Sequence, residues 1–130
     1  NTKIYTKEAI KFLTSLDNRL IVITSGVPTT IAALKLGLNY ESYDPKKVSG
    51  YELKNSDLAW FVNELLKMDD RSADVAVGRS RKYPLIAGTL LLKELLSGQK
   101  AKFIVIDDGL RECVGATYLK GIFQEIITKF

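Results

Sequence analysis

Three short stretches hold the side chains best suited to chemistry. Ser25-Gly26-Val27-Pro28-Thr29-Thr30 places a glycine, hydroxyls and backbone N–H groups where a helix begins. Such starts favour anions, because the first N–H donors have no intrahelical partner and sit at the positive end of the helix dipole. Asp107-Asp108-Gly109-Leu110-Arg111-Glu112 mixes acids, a glycine and an arginine at a second strand-to-helix junction. There Asp107 or Asp108 could hold a hydrated magnesium ion or orient a water, and Arg111 could clamp phosphate oxygens with its planar fork. Arg79, Arg81 and Lys82 form the one dense basic spot. Each stretch has a plainer alternative: Ser25 or Thr29 capping its own helix, Asp108 capping the next helix while Arg111 pairs with a carboxylate, and a solvated basic face at 79–82.

These residues can act together only if the chain delivers them to one place. Leu20-Ile21-Val22-Ile23 and Lys102-Phe103-Ile104-Val105-Ile106-Asp107 are continuous apolar runs rich in β-branched residues. That is the pattern of strands buried on both faces of a parallel sheet. Helical spacing follows Thr6 as a cap (Ile10, Leu13, Leu16) and Pro28 (Ile31, Leu34, Leu38). It is strongest after the Asn55-Ser56 cap, in Leu58, Phe61, Val62, Leu65 and Leu66. Residues 84–96 are apolar almost all round and read as a central buried helix; residues 110–129 read as a long final helix. Residues 40–51, with Asp44-Pro45 and Ser49-Gly50, read as a connecting excursion holding at most one short extended piece, and 69–81 show no strong period. The expected order is α-β-α-α-α-β-α: an α/β fold with parallel strands and flanking helices, rich in helix, forming a single domain over residues 1–130. Two strands are too few for a finished sheet. Ligands of open α/β sheets bind beyond the carboxyl ends of the strands, so the turns after Ile23 and Ile106 must leave the sheet on one rim.

Composition narrows the chemistry further. The chain has 130 residues, 46% hydrophobic and 26% charged, as expected of one globular domain with one core. Nineteen Lys and Arg against fifteen Asp and Glu give +4, an excess that attracts polyanions, while the scattering of the lysines argues against nucleic acid. With no histidine and a lone Cys113, the commonest general base and an internal disulfide are missing, as suits a reducing cytoplasm. No apolar stretch approaches the roughly 20 residues of a membrane span. The chain starts at Asn1 with no basic-then-apolar leader, which reads as a trimmed sequence lacking a secretory signal. An exposed sheet edge in a chain this size would need cover, and a homodimer is one remedy. Trp60 and Phe61 read as core or partner-helix contacts, and Cys113 as a small buried residue.

Four segments together resemble one family. Val105-Ile106-Asp107-Asp108-Gly109-Leu110-Arg111-Glu112-Cys113 is similar to the Val-Ser-Asp-Tyr-Gly-Leu-Arg-Glu-Gly stretch of the exopolyphosphatase/guanosine pentaphosphate phosphohydrolase (Ppx/GppA) family. Arg81-Lys82-Tyr83-Pro84-Leu85-Ile86-Ala87-Gly88 resembles its Arg-Ala-Asp-Val-Ile-Leu-Ala-Gly, the segment from Ser25 to Leu34 its Gly-Gly-Thr-Ala-Thr-Thr-Leu-Ala-Ala-Leu, and Val48-Ser49-Gly50-Tyr51 its Val-His-Gly-Tyr. The matches keep the family's order and distances from about residue 20 to residue 120. The resemblance implies the later half of the second actin-like, ribonuclease H-like domain of a two-domain phosphatase that removes the terminal phosphate of polyphosphate or guanosine pentaphosphate with magnesium. In that family the base is a glutamate of the first domain, and an Asp-Ile-Gly-Gly-Gly-Ser loop opening the second domain grips phosphate. Neither is in this sequence, so the chain is expected to need the missing N-terminal domain and to be inactive alone, with no catalytic residue of its own. A non-catalytic phosphate- or nucleotide-sensing module of the same fold is the alternative. The phosphate-binding residues so implied are Gly26, Thr29, Thr30, Arg81, Gly109 and Arg111. Ser25-Gly26-Val27 stands for Gly-Gly-Thr, and Pro28 removes an N–H from that loop. Tyr83 stands for Asp, Asp108 for Tyr and Cys113 for Gly.

Overall fold

Leu20–Ile23 (β1) and Lys102–Val105 (β3) form adjacent parallel strands, with Leu20 opposite Lys102 and Ile23 opposite Val105, in the computed structural model, which describes residues 2–15, 20–109, 112 and 115. A two-residue strand, Glu52–Leu53 (β2), pairs antiparallel with β3 on its other side, giving the order β1-β3-β2. The sheet is therefore mixed rather than parallel throughout. The short partner arises because Gly50 N–H donates to Val105 O at 2.8 Å and Val105 N–H to Tyr51 O at 2.9 Å, which pulls the end of the 40–51 excursion into the ladder.

Helices fill the rest: α1 (Thr2–Ser15), α2 (Gly26–Lys35), α3 (Pro45–Val48), α4 (Asn55–Lys67), α5 (Asp70–Val77) and α6 (Lys82–Leu95). Thr6 is a buried residue inside α1 rather than its cap. The α5 helix was hidden by the polar composition of 69–81; Asp69 caps it by accepting Ser72 N–H at 2.7 Å, and Gly78 ends it at φ 95°. α2 stops at Gly37 (φ 75°), where Leu38 N–H reaches Ala33 O and Gly37 N–H reaches Leu34 O, closing the last carbonyls while Leu38 packs back on the core. Apart from residues 112 and 115, the final helix expected over 110–129, Cys113 included, lies outside the described residues.

Ile31, Leu58, Phe61, Leu65, Val77, Leu85, Phe103 and Val105 make the core. α2 is buried nearly all round, from Pro28 to Ala33, but other apolar elements reach the core with one face only. In β1, Ile21 and Ile23 pack inward, whereas Leu20 and Val22 are 57% and 53% exposed, so that strand is not buried on both faces. α6 likewise buries the Leu85, Thr89 and Leu96 side, leaving Tyr83, Leu90 and Leu91 exposed; it packs against α1, α2, α4 and α5, so it is central in its contacts but not apolar-buried all round. An unbroken apolar run records no direction, so the sequence could not reveal which face would be covered.

One buried polar group ties α2 to α4. Asp57 is 4% exposed and accepts from Lys54 N–H at 3.0 Å and Tyr51 OH at 3.1 Å, while Lys35 Nζ lies 3.2 Å from its other oxygen and 4.6 Å above the Trp60 ring. This bond to Lys54 N–H, rather than Asn55 or Ser56, caps α4. Burial pushes the Asp57 carboxyl upward, but the bonds from Lys54, Lys35 and Tyr51 outweigh it and hold it below the ordinary carboxylate range. A depressed folded value means stability that is present above the unfolded carboxyl pKa, about 3.9, and is lost as pH falls through the folded value. Asp57→Asn should therefore cost about 1–3 kcal/mol at pH 7. In urea titrations the difference from the parent protein should shrink toward pH 3; a gap that stays constant would remove the charge from the explanation.

Candidate functional site

The two strand ends set the site. Because Ile23 pairs with Val105, and Ile106 N–H continues the ladder to Ile23 O at 3.0 Å, the turns after β1 and β3 leave the sheet on the same rim. Beside that rim opens a cavity of about 510 Å³, lined by Thr29, Thr30 and Leu34 of α2, Tyr40 and Tyr43 of the following loop, Ala76 and Val77 of α5, and Arg81 and Asp107. It falls in the size range, roughly 300–1,000 Å³, typical of small-molecule sites.

Arg81 is the cation of this pocket. It precedes the first residue of α6; its Nη1 donates to Val77 O at 3.0 Å and its Nη2 lies 3.5 Å from Thr30 Oγ1. No carboxylate pairs with it among the described residues, where the ion pairs are Lys35–Asp57, Lys67–Glu64 and Lys82–Asp70. A half-buried guanidinium with spare N–H donors and no carboxylate partner among the described residues has the chemistry to accept an anion. Gly26 belongs to the same arrangement from outside the cavity wall: a Cβ there would stand 3.3 Å from Arg81 Nη2.

The hydroxyls are used differently from the sequence reading. Thr29 Oγ1 donates to Ser25 O at 2.8 Å and Thr30 Oγ1 to Gly26 O at 2.5 Å, so both present lone pairs, not protons, to the pocket. Ser25 stands at the N-cap of α2 without a side-chain cap bond. Pro28 has no N–H, and Thr29 N–H goes to Ser25 O at 3.3 Å, which leaves Gly26 and Val27 as the donors of that turn.

Other expected site residues are dispersed. Gly109 is exposed, does not line the cavity, and gives its N–H to Glu112 Oε2 at 2.8 Å. Arg111 lies outside the described residues. Arg79 and Lys82 turn away from Arg81 into a separate cleft with Asp70 and Asp74, where Lys82 Nζ is held by Met68 O at 2.7 Å and Asp70 at 3.3 Å.

The largest omission in the sequence reading is Tyr43, hidden in the aperiodic 40–51 excursion. Its hydroxyl donates to Asp107 Oδ2 at 2.7 Å. Burial, reinforced by the bond to Asp107, pushes the phenol up to about 12, so it remains a protonated donor near neutrality. The available signal was Asp44-Pro45: Asp44 accepts Lys46 N–H at 3.0 Å and starts α3 with proline, fixing the chain just after Tyr43. Gly78 is also required here. A Cβ at that position would come within 2.8 Å of the Tyr40 ring and 3.2 Å of Arg81 Cδ, and its φ of 95° disfavours any side chain. Gly78→Ala is expected to destabilise the protein by about 1–3 kcal/mol and to disturb Tyr40 and Arg81 together. Thermal unfolding and tyrosine fluorescence check this; an unchanged midpoint would show that the turn tolerates a side chain.

These features define an α/β fold whose pocket lies at the carboxyl rim of a small mixed sheet. The chain spans about two fifths of the solved relatives it matches. The Ppx/GppA phosphatase of Aquifex aeolicus, in the crystal structure of its type II variant, superposes with a TM-score of 0.64 at 28% identity over 86% of this chain and 39% of that one. A second crystal structure, of the Aquifex aeolicus member of the Ppx/GppA family, gives 0.69 at 27% identity over 95% of this chain and 40% of that one. No family model and no curated protein matches the sequence. Over most of its length the chain is thus similar in fold to solved members of the Ppx/GppA family.

Proposed function

We propose that this chain is the phosphate-binding part of an exopolyphosphatase-like phosphohydrolase, lying in the later half of an actin-like, ribonuclease H-like second domain. The observation that carries this reading is the Arg81 guanidinium, placed against Gly26 and Thr30 in a cavity and without a carboxylate partner among the described residues. In the whole protein the reaction is removal of a terminal phosphate from polyphosphate or guanosine pentaphosphate by water. Phosphoryl transfer depends mainly on positioning and on neutralising charge over the transferred group, which is what a bidentate cation supplies. The base, the remaining phosphate donors and the other wall of the cleft belong to the rest of the parent protein, and the chain alone is inactive in this account.

The described residues include no cluster of three or more potential metal ligands, and Asp107 offers only one free carboxylate oxygen. They do not make a magnesium site by themselves. The second reading, a phosphate- or nucleotide-sensing module without turnover, draws on Pro28, which strips a donor from the turn before Thr29. Phosphate release from polyphosphate by the full-length protein separates the two. Turnover that falls several-fold in Gly26→Ala, where the new methyl crowds Arg81, supports the enzyme reading. Absence of release from the parent protein, with binding intact, would leave the sensing module; undiminished release by the variant would detach this turn from the reaction.

A further inference from the structure

The pocket contains a negative pole as well as a positive one. Asp107 lines the same cavity as Arg81, and its carboxylate is fixed rather than free to swing away. Oδ2 is held by Tyr43 OH at 2.7 Å, and its backbone N–H donates to Ser49 Oγ at 3.0 Å. The strand behind it is held by Val105 N–H to Tyr51 O and Ile106 N–H to Ile23 O. Oδ1 has no partner and the carboxylate no cation among the described residues. A ligand that satisfied Arg81 alone would leave this carboxylate facing an anion.

We propose that Asp107, positioned by Tyr43, is a specificity-determining residue that makes the pocket favour a phosphate ligand whose organic part carries hydrogen-bond donors, such as a ribonucleoside diphosphate, over bare inorganic polyphosphate. The inference rests on the anion-binding reading above. An inorganic polyphosphate near neutrality presents acceptor oxygens and negative charge, so against Asp107 it meets like charge. A ribose hydroxyl or a base N–H donates to the carboxylate in a charge-assisted bond. Repulsion of one ligand and attraction of the other act in the same direction, as effective discrimination requires. The cavity also has room beyond the phosphate end. Tyr40, 58% exposed at the rim, and Leu34 and Ala76 supply an apolar wall that an organic group would cover.

The test is a pair of calorimetric titrations in metal-free buffer, with pyrophosphate and with a ribonucleoside diphosphate, on the parent protein, Asp107→Asn and Tyr43→Phe. Asparagine keeps an acceptor for Tyr43 and nearly the same shape, so the fold is retained; thermal midpoints confirm it. The parent is expected to prefer the nucleotide. Asp107→Asn should lower that preference, the ratio of the two dissociation constants, by about tenfold, through tighter pyrophosphate binding and weaker nucleotide binding. Tyr43→Phe should lower it by about threefold, because the carboxylate keeps its charge but loses its anchor. A purely structural latch would move both ligands equally. An unchanged ratio in Asp107→Asn, or a parent that prefers pyrophosphate, overturns the inference and leaves the anion pocket standing. If neither probe binds the parent, the pocket reading and this inference fail together.

Discussion

Arg81→Ala is expected to weaken pyrophosphate binding about 10- to 100-fold while the protein stays folded, the loss that follows from removing one or two hydrogen bonds to a charged group. The fold should tolerate it. Arg81 is only half-buried, its guanidinium makes one close bond, to Val77 O, and its distance to Thr30 Oγ1 of 3.5 Å marks a weak contact. Arg81→Lys keeps the charge but loses the planar fork, so its affinity should fall between the two. Calorimetry at low ionic strength is the check, with the thermal midpoint measured on the same samples. Equal affinity in Arg81→Ala and the parent would return Arg81 to the role of a turn residue closing α5 onto α6.

Phe61→Ala should have the largest effect on stability, about 3–5 kcal/mol. Phe61 has no exposed surface and belongs to the cluster that joins α4 to Leu85 of α6 and to the inner faces of β1 and β3. Removing the ring leaves a cavity that these rigid neighbours cannot fill. Set against a total of about 5–15 kcal/mol for a domain, that loss would leave a marginal protein or an unfolded one. Urea unfolding gives the answer directly. A change below about 1 kcal/mol would mean that the core can collapse around the gap and that α4 is not its centre.

Much of this architecture could be read from residue types. Two β-branched runs gave the parallel pair β1–β3, and the spacing of Leu58, Phe61 and Leu65 gave α4, because both patterns are set by burial of one repeating face. Reading failed where burial and polarity part company. α5 has a stripe of only Ala73, Ala76 and Val77, too small and brief to stand out among polar residues, and α3 and β2 are too short to carry a period. The site was half visible. Thr29, Thr30 and Arg81, 51 residues apart at the widest bond, do meet in one cavity. Tyr43 could not be placed, because its partner Asp107 lies 64 residues along the chain and the loop before it is shaped by Asn39–Ser42 bonds that leave no apolar period. Gly109, expected at the site from the resemblance of the 105–113 stretch, has its N–H satisfied locally by Glu112.

The central claim is that the turn opening α2, the Arg81 corner and the end of β3 form one anion pocket on the shared rim. Amide chemical shifts followed during a pyrophosphate titration of the protein test this most directly. The account predicts progressive, saturable shifts at Gly26, Thr29, Thr30, Tyr43, Arg81 and Asp107, with little change at Lys54, Lys100 and Lys102 on the far end of the sheet. Shifts centred on those three lysines, with the rim unmoved, would contradict it.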